Sequence, residues 1–390
     1  MKPPKLTSEF FTHLPPETTI DILSRLPIRT IVRSKLVCKS WRDLLRTREF
    51  ADSHLSRSTS GLAICEYSSE LRIFEFEDEH NHQHRHNPVT GFPCRKFATI
   101  RLPTAIQGSA NGLLFSRGIT RQFDALHICN PITRECIQLP TPENYVNSPT
   151  IVANGFGVSK ITGRYKVVRV SLEYDRDPYT YELVGITKSS CHVYTLGTGK
   201  WRSIVASVPP LGNNQYSIGA FLNGSLHWFV EDFNGSYSIS RFDLETETFS
   251  SFALPPLRES DVHSQIVVAL GDYLCVCDNL SEDEVVVWLM KEYGDEKSWA
   301  KEIVIRKPQF LRGFGGFASN FVCPVRIFEH GHVLMSCYAV CLFCYSNETE
   351  TAELAHMFGV FDGHRGMQVM LHRSSFLSLK CFPMENVTSF

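Results

Sequence analysis

Four histidines alternate with other residues in one short stretch: His80, His82, His84 and His86. Neutral imidazole is the commonest transition-metal ligand in proteins, so this spacing could bind zinc or nickel. However, no cysteines or histidines surround the stretch at the spacing of a structural zinc site. We therefore expect a polar insertion loop with only adventitious metal affinity, and no metal site.

Two close cysteine pairs, Cys275 with Cys277 and Cys341 with Cys344, fall in apolar runs typical of strands. A zinc ribbon or a RING domain needs further pairs at fixed spacing, which the sequence lacks. The chain has 13 cysteines in 390 residues. Because its N-terminus contains no apolar run of signal-peptide length, this composition favours reduced, mostly buried thiols.

Three common motifs of enzyme active sites are absent from the sequence. The glycine-rich stretch 313–316 is followed by neither a lysine nor a strong helical pattern, so we do not expect a phosphate site there. No G-x-S-x-G elbow and no H-E-x-x-H motif occurs. The sequence therefore predicts a protein that is not an enzyme and that needs no cofactor.

The segment from Leu14 to Leu45 contains three short amphipathic helical patterns. A piece this short cannot hide its own apolar side chains, because independent folding below ~40 residues usually needs disulfides, metals or a partner. Another surface must therefore cover its apolar face, and we predict that this surface belongs to another protein. Packing of these helices on the rest of the chain is the alternative.

Prolines and capping residues divide this segment into its helices. Pro15 and Pro16 suit the first turn of a helix that Pro27 ends. Thr30 is the expected N-cap of the second helix, and Ser40 of the third.

The segment resembles an F-box, the adaptor-binding motif of SCF-type ubiquitin ligases. The resemblance is carried by Leu14-Pro15, Ile22-Leu23, Leu26-Pro27 and Val37-Cys38-Lys39-Ser40-Trp41. It implies that a Skp-type adaptor covers the apolar face. The residues expected to contact the adaptor are Leu14, Pro15, Ile20, Ile22, Leu23, Leu26, Pro27, Leu36, Val37, Cys38, Trp41 and Leu44.

Charge is divided unevenly along the chain. The net charge is −2, but residues 1–60 contain eleven lysines and arginines against six acidic residues. A basic helical segment favours an acidic protein partner. Nucleic acid is not expected, because apolar residues interleave with the charges. The longest apolar runs are too short to cross a bilayer, so we expect no membrane partner and a location in the cytoplasm, the nucleus or both.

The remainder of the chain is a succession of short apolar segments broken by Gly, Asn, Pro and Asp, which is typical of all-β domains. We predict a helical F-box domain at 8–51, a linker at 52–60 and an all-β domain at 61–380. The fold class is therefore mixed: a small all-α part of three short helices, followed by a large all-β, propeller-like part of six or seven blades.

Two repeated features predict the propeller. Glycine-centred turns recur about 50 residues apart, at Gly61, Gly112, Gly163, Gly224, Gly271 and Gly331. A second element aligns Thr133, Thr198 and Thr246, with Cys136, Trp201 and Phe249 each three residues later. Units of this length that recur along a β-rich chain belong to propellers, in which radial closure protects the sheet edges.

The β-rich part resembles the F-box-associated domain of plant F-box proteins, through stretches such as 111–115, 128–140 and 242–256. The order of the two parts implies a non-catalytic substrate receptor of an SCF-type E3 ubiquitin ligase. Such a receptor tethers an unknown target protein to the adaptor and, through it, to the cullin and RING subunits. Two alternatives are an F-box binding module acting outside ubiquitylation, and a propeller lectin or enzyme with a helical appendage.

Overall fold

The computed structural model describes residues 14–66, 70–76, 94–101, 104–118, 125–142, 150–176, 183–205, 216–231, 236–257, 265–279, 281, 283–314, 321–328, 331–337, 341–355 and 367–390. These residues form four α-helices followed by strands β1 to β26. The histidine stretch 80–86 lies outside the described residues, so its assignment to an insertion loop stays a prediction.

The helices form a small N-terminal unit, the helical module (residues 14–57). Its helices are α1 (Pro16–Ser24), α2 (Ile28–Ser34), α3 (Lys39–Leu44) and α4 (Arg48–Arg57). The second helix begins directly after Pro27, ahead of the expected cap at Thr30, because the proline already fixes a suitable φ of −57°. The third is capped by Cys38 rather than Ser40: its thiol accepts the backbone N–H of Trp41 at 3.4 Å.

Residues 52–57, predicted as part of a linker, are the second half of α4. The Thr47 hydroxyl caps this helix by accepting the backbone N–H of Phe50 at 3.2 Å, and Arg48 pairs with Asp52 at 3.0 Å. The helix buries only Phe50, Ala51 and His54, so its sequence shows no broad apolar stripe. Only residues 58–60 connect it to the first strand.

The described strands form six blades. Blade one is β25 (Met367–His372), β1 (Gly61–Glu66), β2 (Glu70–Phe76) and β3 (Cys94–Arg101); blade two is β4 (Thr104–Ala110), β5 (Leu113–Gly118), β6 (Leu126–Asn130), β7 (Glu135–Gln138) and β26 (Val387–Ser389). Blade three is β8 (Thr150–Val158), β9 (Tyr165–Arg176), β10 (Leu183–Thr195) and β11 (Trp201–Ile204), with β12 (Tyr216–Ile218) parallel to β8. Blade four is β13 (Ala220–Leu222), β14 (Ser225–Glu231), β15 (Tyr237–Asp243) and β16 (Phe249–Phe252). Blade five is β17 (Gln265–Leu270), β18 (Tyr273–Asp278), β19 (Glu284–Met290) and β20 (Trp299–Arg306); blade six is β21 (Val322–Ile327), β22 (His332–Cys337), β23 (Cys341–Ser346) and β24 (Thr351–Leu354).

The predicted repeat corresponds to the hairpins of these blades. Gly112, Gly163, Gly224, Gly271 and Gly331 have positive φ and lie between the first and second strands of blades two to six. The threonine elements are the turns between the third and fourth strands of blades two, three and four. Gly61 is the exception, because it begins β1 instead of forming a turn; the innermost strand of blade one is β25, from the C-terminal end of the chain.

Strand direction assigns each connection to one of two faces. Connections between the first and second strands and between the third and fourth strands lie on one face, which we call the turn face. The other connections lie on the opposite face, the loop face. Both Gly61 and its register partner His372 lie at strand ends on the turn face, so the helical module and the segment after β25 are attached there.

The C-terminal segment 373–390, the tail, crosses the turn face from the innermost strand of blade one to the outermost strand of blade two. The Asn130 amide donates to the carbonyl oxygens of Ser375 and Leu377 at 3.1 and 2.7 Å. The Glu135 carboxylate accepts the backbone N–H of Leu379 at 2.6 Å. The tail therefore closes the ring together with β25.

The tail also joins the helical module to the propeller. Phe376 of the tail makes edge-to-face contacts with Phe50 and His54 of α4, with ring centroids 5.5 and 5.0 Å apart. The Arg373 side chain donates from Nε to the Ser58 carbonyl at 2.8 Å. Leu23, Ile31 and Phe50 of the module belong to the same apolar core as Phe115 and Phe156 of blades two and three. The module is therefore packed against the propeller.

Removing the Phe376 ring tests the contact between the tail and the helical module. Phe376 is buried, so Phe376→Ala should lower the free energy of unfolding by about 3–5 kcal/mol through lost burial and cavity formation. Phe390→Ala makes the same chemical change at a partly exposed site and should cost under ~1 kcal/mol. Urea denaturation of both variants measures the difference; equal losses would contradict the assigned role of Phe376.

Titration of His54 provides a second test. Burial, together with nearby Arg373, lowers the pKa of His54 from 6.5 to about 4. As the pH falls, the unfolded chain therefore binds a proton at this histidine before the folded chain does. The contribution of the neutral ring to the free energy of unfolding is present above pH 6.5 and is lost as the pH falls toward 4. We expect His54→Gln to reduce the dependence of the urea midpoint on pH in that range. An unchanged dependence would show that His54 is not buried as a neutral ring.

Candidate functional site

Several apolar side chains of the helical module face solvent. We call them the exposed apolar set; its members are Pro15, Pro16, Ile22, Pro27, Val32, Leu36 and Val37. Leu36 and Val37 are the most exposed, at 88% and 66%, and adjoin each other in the turn between α2 and α3. Side chains of this type are normally buried, so a group of them on one small module marks an interaction surface.

The turn that carries Leu36 and Val37 is held by backbone hydrogen bonds. The N–H groups of Leu36 and Val37 donate to the carbonyl oxygens of Arg33 and Ser34, at 3.0 and 3.1 Å. The Ser34 hydroxyl in turn donates to the Thr30 carbonyl at 2.9 Å. The two apolar side chains are therefore presented by a defined turn, which reduces the conformational entropy lost when a partner covers them.

The residues predicted to contact an adaptor divide into three groups by burial. Pro15, Ile22, Pro27, Leu36 and Val37 are exposed. Six others are half-buried: Leu14, Ile20, Leu26, Cys38, Trp41 and Leu44. Among these six, Ile20, Leu26 and Trp41 pack partly against the core that the module shares with the propeller.

Leu23 requires a correction. It was predicted to contact the adaptor, but it is only 1% exposed and lies in the core with Ile28, Ile31 and Leu45. The reason is the helix periodicity: in α1, Ile22 points outward to solvent while the next residue points inward. Leu23 therefore supports the module from within and is not available to a partner.

The exposed apolar set lies among basic side chains. Six basic side chains are exposed on α2, on α3 and in the turns that follow α1 and α3: Arg25, Arg29, Arg33, Lys39, Arg42 and Arg46. Asp21 counters part of this charge, because Arg25 and Arg57 hold its carboxylate at 3.0 and 2.6 Å and lower its pKa. The combination of apolar and basic groups matches a protein surface that is apolar and acidic.

Sequence reasoning overlooked two components of this site. Val32 is 37% exposed on α2 and was not among the residues expected to contact the adaptor. Helix α4, which fixes the module to the tail, was also missed. Two local signals were present for α4: the N-cap residue Thr47, and the Arg48–Asp52 ion pair one helical turn apart.

The cysteines considered above lie mainly inside the propeller. Cys275, Cys277 and Cys341 are buried between blades five and six, and Cys344 is half-buried. Burial raises the pKa of the Cys344 thiol to about 11. Within the described part of the chain, no group of three or more His, Cys, Asp or Glu residues is placed to hold a metal ion. The described helices are also too short or too polar to cross a membrane.

Comparison with protein families identifies both parts of the chain. A family model described as "F-box associated beta propeller domain" matches residues 61–371, and one described as "F-box-like" matches residues 11–51. The chain belongs to the F-box proteins with an F-box-associated β-propeller domain. The helical module is its F-box, and the resemblance inferred from the motifs is confirmed.

Relatives of this F-box protein include several F-box proteins of Arabidopsis thaliana. The F-box protein CPR1 is 27% identical over 324 residues, which cover 77% of this chain and 75% of the relative. The F-box protein At3g07870 is 28% identical over 311 residues, covering 75% and 72%. The F-box protein At2g34280 is 25% identical over 386 residues, covering 88% and 94%. The similarity to At2g34280 is long enough to include both parts of the chain.

Because one leucine of the F-box is buried and another is exposed, we predict a large loss of stability for the first and almost none for the second. Leu23→Ala should lower the free energy of unfolding by about 2–5 kcal/mol, because it leaves a cavity in the shared core. Leu36→Ala should change it by no more than ~0.5 kcal/mol, because the side chain makes little contact within the chain. Urea denaturation of the two variants provides the comparison. A large loss for Leu36→Ala would mean that the turn is packed in solution.

Proposed function

We propose that this protein is the substrate-recognition subunit of an SCF-type E3 ubiquitin ligase. In this proposal the F-box binds a Skp-type adaptor, and the adaptor links the protein to the cullin and RING subunits. The propeller binds the target protein. The subunit itself is non-catalytic: it accelerates ubiquitin transfer by holding a target lysine near the charged conjugating enzyme, which makes the encounter effectively intramolecular.

The observation that carries the proposal is the ordered, exposed pair Leu36 and Val37. The propeller and the tail cover one side of the F-box, through Phe50, His54 and Phe376. The tail also contacts Lys35, whose ammonium lies 5.3 Å from the Phe376 ring centroid, but the side chains of Leu36 and Val37 stay uncovered. Intramolecular packing, the alternative to a partner, therefore accounts for only part of the apolar residues of the module.

Charge supports an acidic partner. The exposed arginines and lysines of α1 to α3 flank the apolar side chains in sequence. Long-range attraction to an acidic adaptor would raise the association rate, while burial of the apolar set would slow dissociation.

The position of the F-box on one face of the propeller favours the opposite face as the binding site for the target. The F-box and the tail lie on the turn face, so this face is partly occupied. On the loop face, the end of one blade's last strand and the start of the next blade's first strand are separated in sequence by eleven to fifteen residues before blades three, five, six and one. Long connections at the end of a rigid scaffold commonly carry binding residues. We propose that the target binds on the loop face, turned away from the adaptor.

Adaptor binding is tested with charged substitutions in the exposed turn. Leu36→Asp combined with Val37→Asp should raise the Kd for a Skp-type adaptor at least about 30-fold, which corresponds to ~2 kcal/mol lost at interface anchors. Ile161→Asp is a matched control, because Ile161 is 82% exposed on the same face of the propeller but outside the F-box. Titration calorimetry with the full chain gives both values.

Two results would decide against this surface. Unchanged adaptor affinity in the double variant, with its unfolding midpoint preserved, would exclude the turn at 35–37 as the contact. An equal loss for Ile161→Asp would show a nonspecific effect of added negative charge. The Leu23→Ala variant is unsuitable for this purpose, because its effect on folding would also weaken binding.

Reconstitution separates a ligase subunit from a binding module outside ubiquitylation. The full chain, adaptor, cullin, RING protein and conjugating enzyme should produce ubiquitin chains on a bound target or on the receptor itself. We expect the Leu36→Asp, Val37→Asp variant to reduce these products to the level seen without receptor. Adaptor binding without any cullin-dependent ubiquitylation would favour the binding module.

A further inference from the structure

Two cysteines of blade two lie opposite each other on neighbouring strands. Cys129 of β6 and Cys136 of β7 are register partners, and their sulfur atoms are 2.7 Å apart. The two side chains therefore already point toward each other. A disulfide needs this arrangement, with Cβ atoms ~3.5–4.5 Å apart.

The hydrogen-bond pattern places this pair at a non-hydrogen-bonded position of the ladder. The backbone N–H of Leu139 donates to Leu126 at 2.8 Å, so alternate residues of β6, namely Leu126, Ile128 and Asn130, direct their backbone groups at β7. The backbone N–H and C=O groups of Cys129 instead point toward β5, and those of Cys136 point toward β26. Side chains approach most closely at such positions, which favours a bond between them.

A second opposed pair, Cys337 of β22 and Cys341 of β23, occupies the other kind of position. The backbone N–H of Ala355 donates to the Leu342 carbonyl at 2.9 Å, so Leu342 faces β24 and Cys341 faces β22. This pair therefore lies at a hydrogen-bonded position of the ladder, where the backbones are further apart. A hydrogen bond also joins its two thiols and lowers the pKa of Cys337, so the two pairs differ in ladder position and not in thiol contact. It is a natural comparator within the same chain.

The environment of the first pair makes one thiol the better nucleophile. Both side chains are buried. The hydrogen bond from Cys129 lowers the pKa of the Cys136 thiol, and the same contact raises the pKa of Cys129. Cys136 is thus the thiol that ionises first, and the thiolate is the form that reacts with oxidants.

The pair lies directly beside the residues that hold the tail. Asn130 and Glu135, which anchor Ser375, Leu377 and Leu379, are the next register pair of the same hairpin. On the other edge of β7, Thr388 pairs with Cys136. A covalent bond at this position would restrain the hairpin to which the tail, and through it the F-box, is attached.

We propose that Cys129 and Cys136 form a redox-active pair that closes to an intrachain disulfide on exposure to a peroxide and staples the hairpin that anchors the tail. The Cys136 thiolate attacks one oxygen of hydrogen peroxide, the O–O bond breaks, and a sulfenic acid and hydroxide form. Cys129 then attacks the sulfenic sulfur; the S–S bond forms, the S–O bond breaks, and the Cys129 proton leaves with the oxygen as water. Two thiols are oxidised and one peroxide is reduced.

Peptide mapping of the full chain tests this proposal. The reduced protein is treated with hydrogen peroxide, unfolded, alkylated and digested, and each cysteine peptide is measured by mass spectrometry. We expect the peptides of Cys129 and Cys136 to lose two hydrogen atoms in total and to escape alkylation, and dithiothreitol to reverse this. The Cys337–Cys341 pair should remain alkylatable under the same treatment. Cys136→Ser should leave Cys129 alkylatable.

Three outcomes would overturn the proposal. One is full alkylation of Cys129 and Cys136 under conditions that oxidise the exposed thiol of Cys381. The second is conversion of Cys136 to a sulfinic acid without cross-linking. The third is closure of Cys337–Cys341 first, which would contradict the argument from ladder position.

The effect of the disulfide on the tail can be measured separately. Hydrogen exchange at the Leu379 amide, which is bound by Glu135, should be slower in the oxidised chain than in the reduced chain. Cys129→Ser with peroxide should show no such slowing. A disulfide that forms without any change at Leu379 would overturn its assigned effect on the tail.

Discussion

The structure depends on an apolar core that the F-box helices and the propeller share. Phe50 and His54 of α4 close on Phe376 of the tail, and Leu23 and Ile31 extend the same core into the helical module. Burial of apolar surface is the main favourable term in folding. Because four short helices can bury little apolar surface among themselves, this contact stabilises the module.

This shared core also determines what remains outside it. The helices carry more apolar residues than one side can bury, and Leu36 and Val37 stay in solvent on a hydrogen-bonded turn. The propeller therefore fixes the orientation of the surface that it leaves uncovered. In the proposed function, this fixed contact would hold the adaptor and the target at a defined separation.

The sequence predicted features that depend on local chemistry. The prolines at the ends of the helices, the Asn111-Gly112 and Asn223-Gly224 turns and the aligned threonines each have a short-range cause, and they led to the helical module and the six blades. Features that need distant partners were missed. Gly61 looked like another turn because nothing local shows that β25, about 300 residues later, pairs with β1.

The same limit applies to the site. Periodicity identified α1 as amphipathic, but it could not assign Ile22 to solvent and Leu23 to the core, because that choice depends on where the tail lies. Residues 52–57 of α4 were predicted as part of a linker, since the buried face of this helix consists of only three residues. Likewise, Cys129 and Cys136 become a pair only through the register of β6 and β7.

Amide hydrogen exchange on the full chain, alone and bound to a Skp-type adaptor, tests the central claim most directly. The account predicts that the adaptor slows exchange at the turn of residues 35–37 and in the adjoining α1 and α2. Exchange in the half of α4 around Phe50 and His54 should stay the same, because the propeller already covers it. Protection centred on α4, with no change at residues 35–37, would contradict the account.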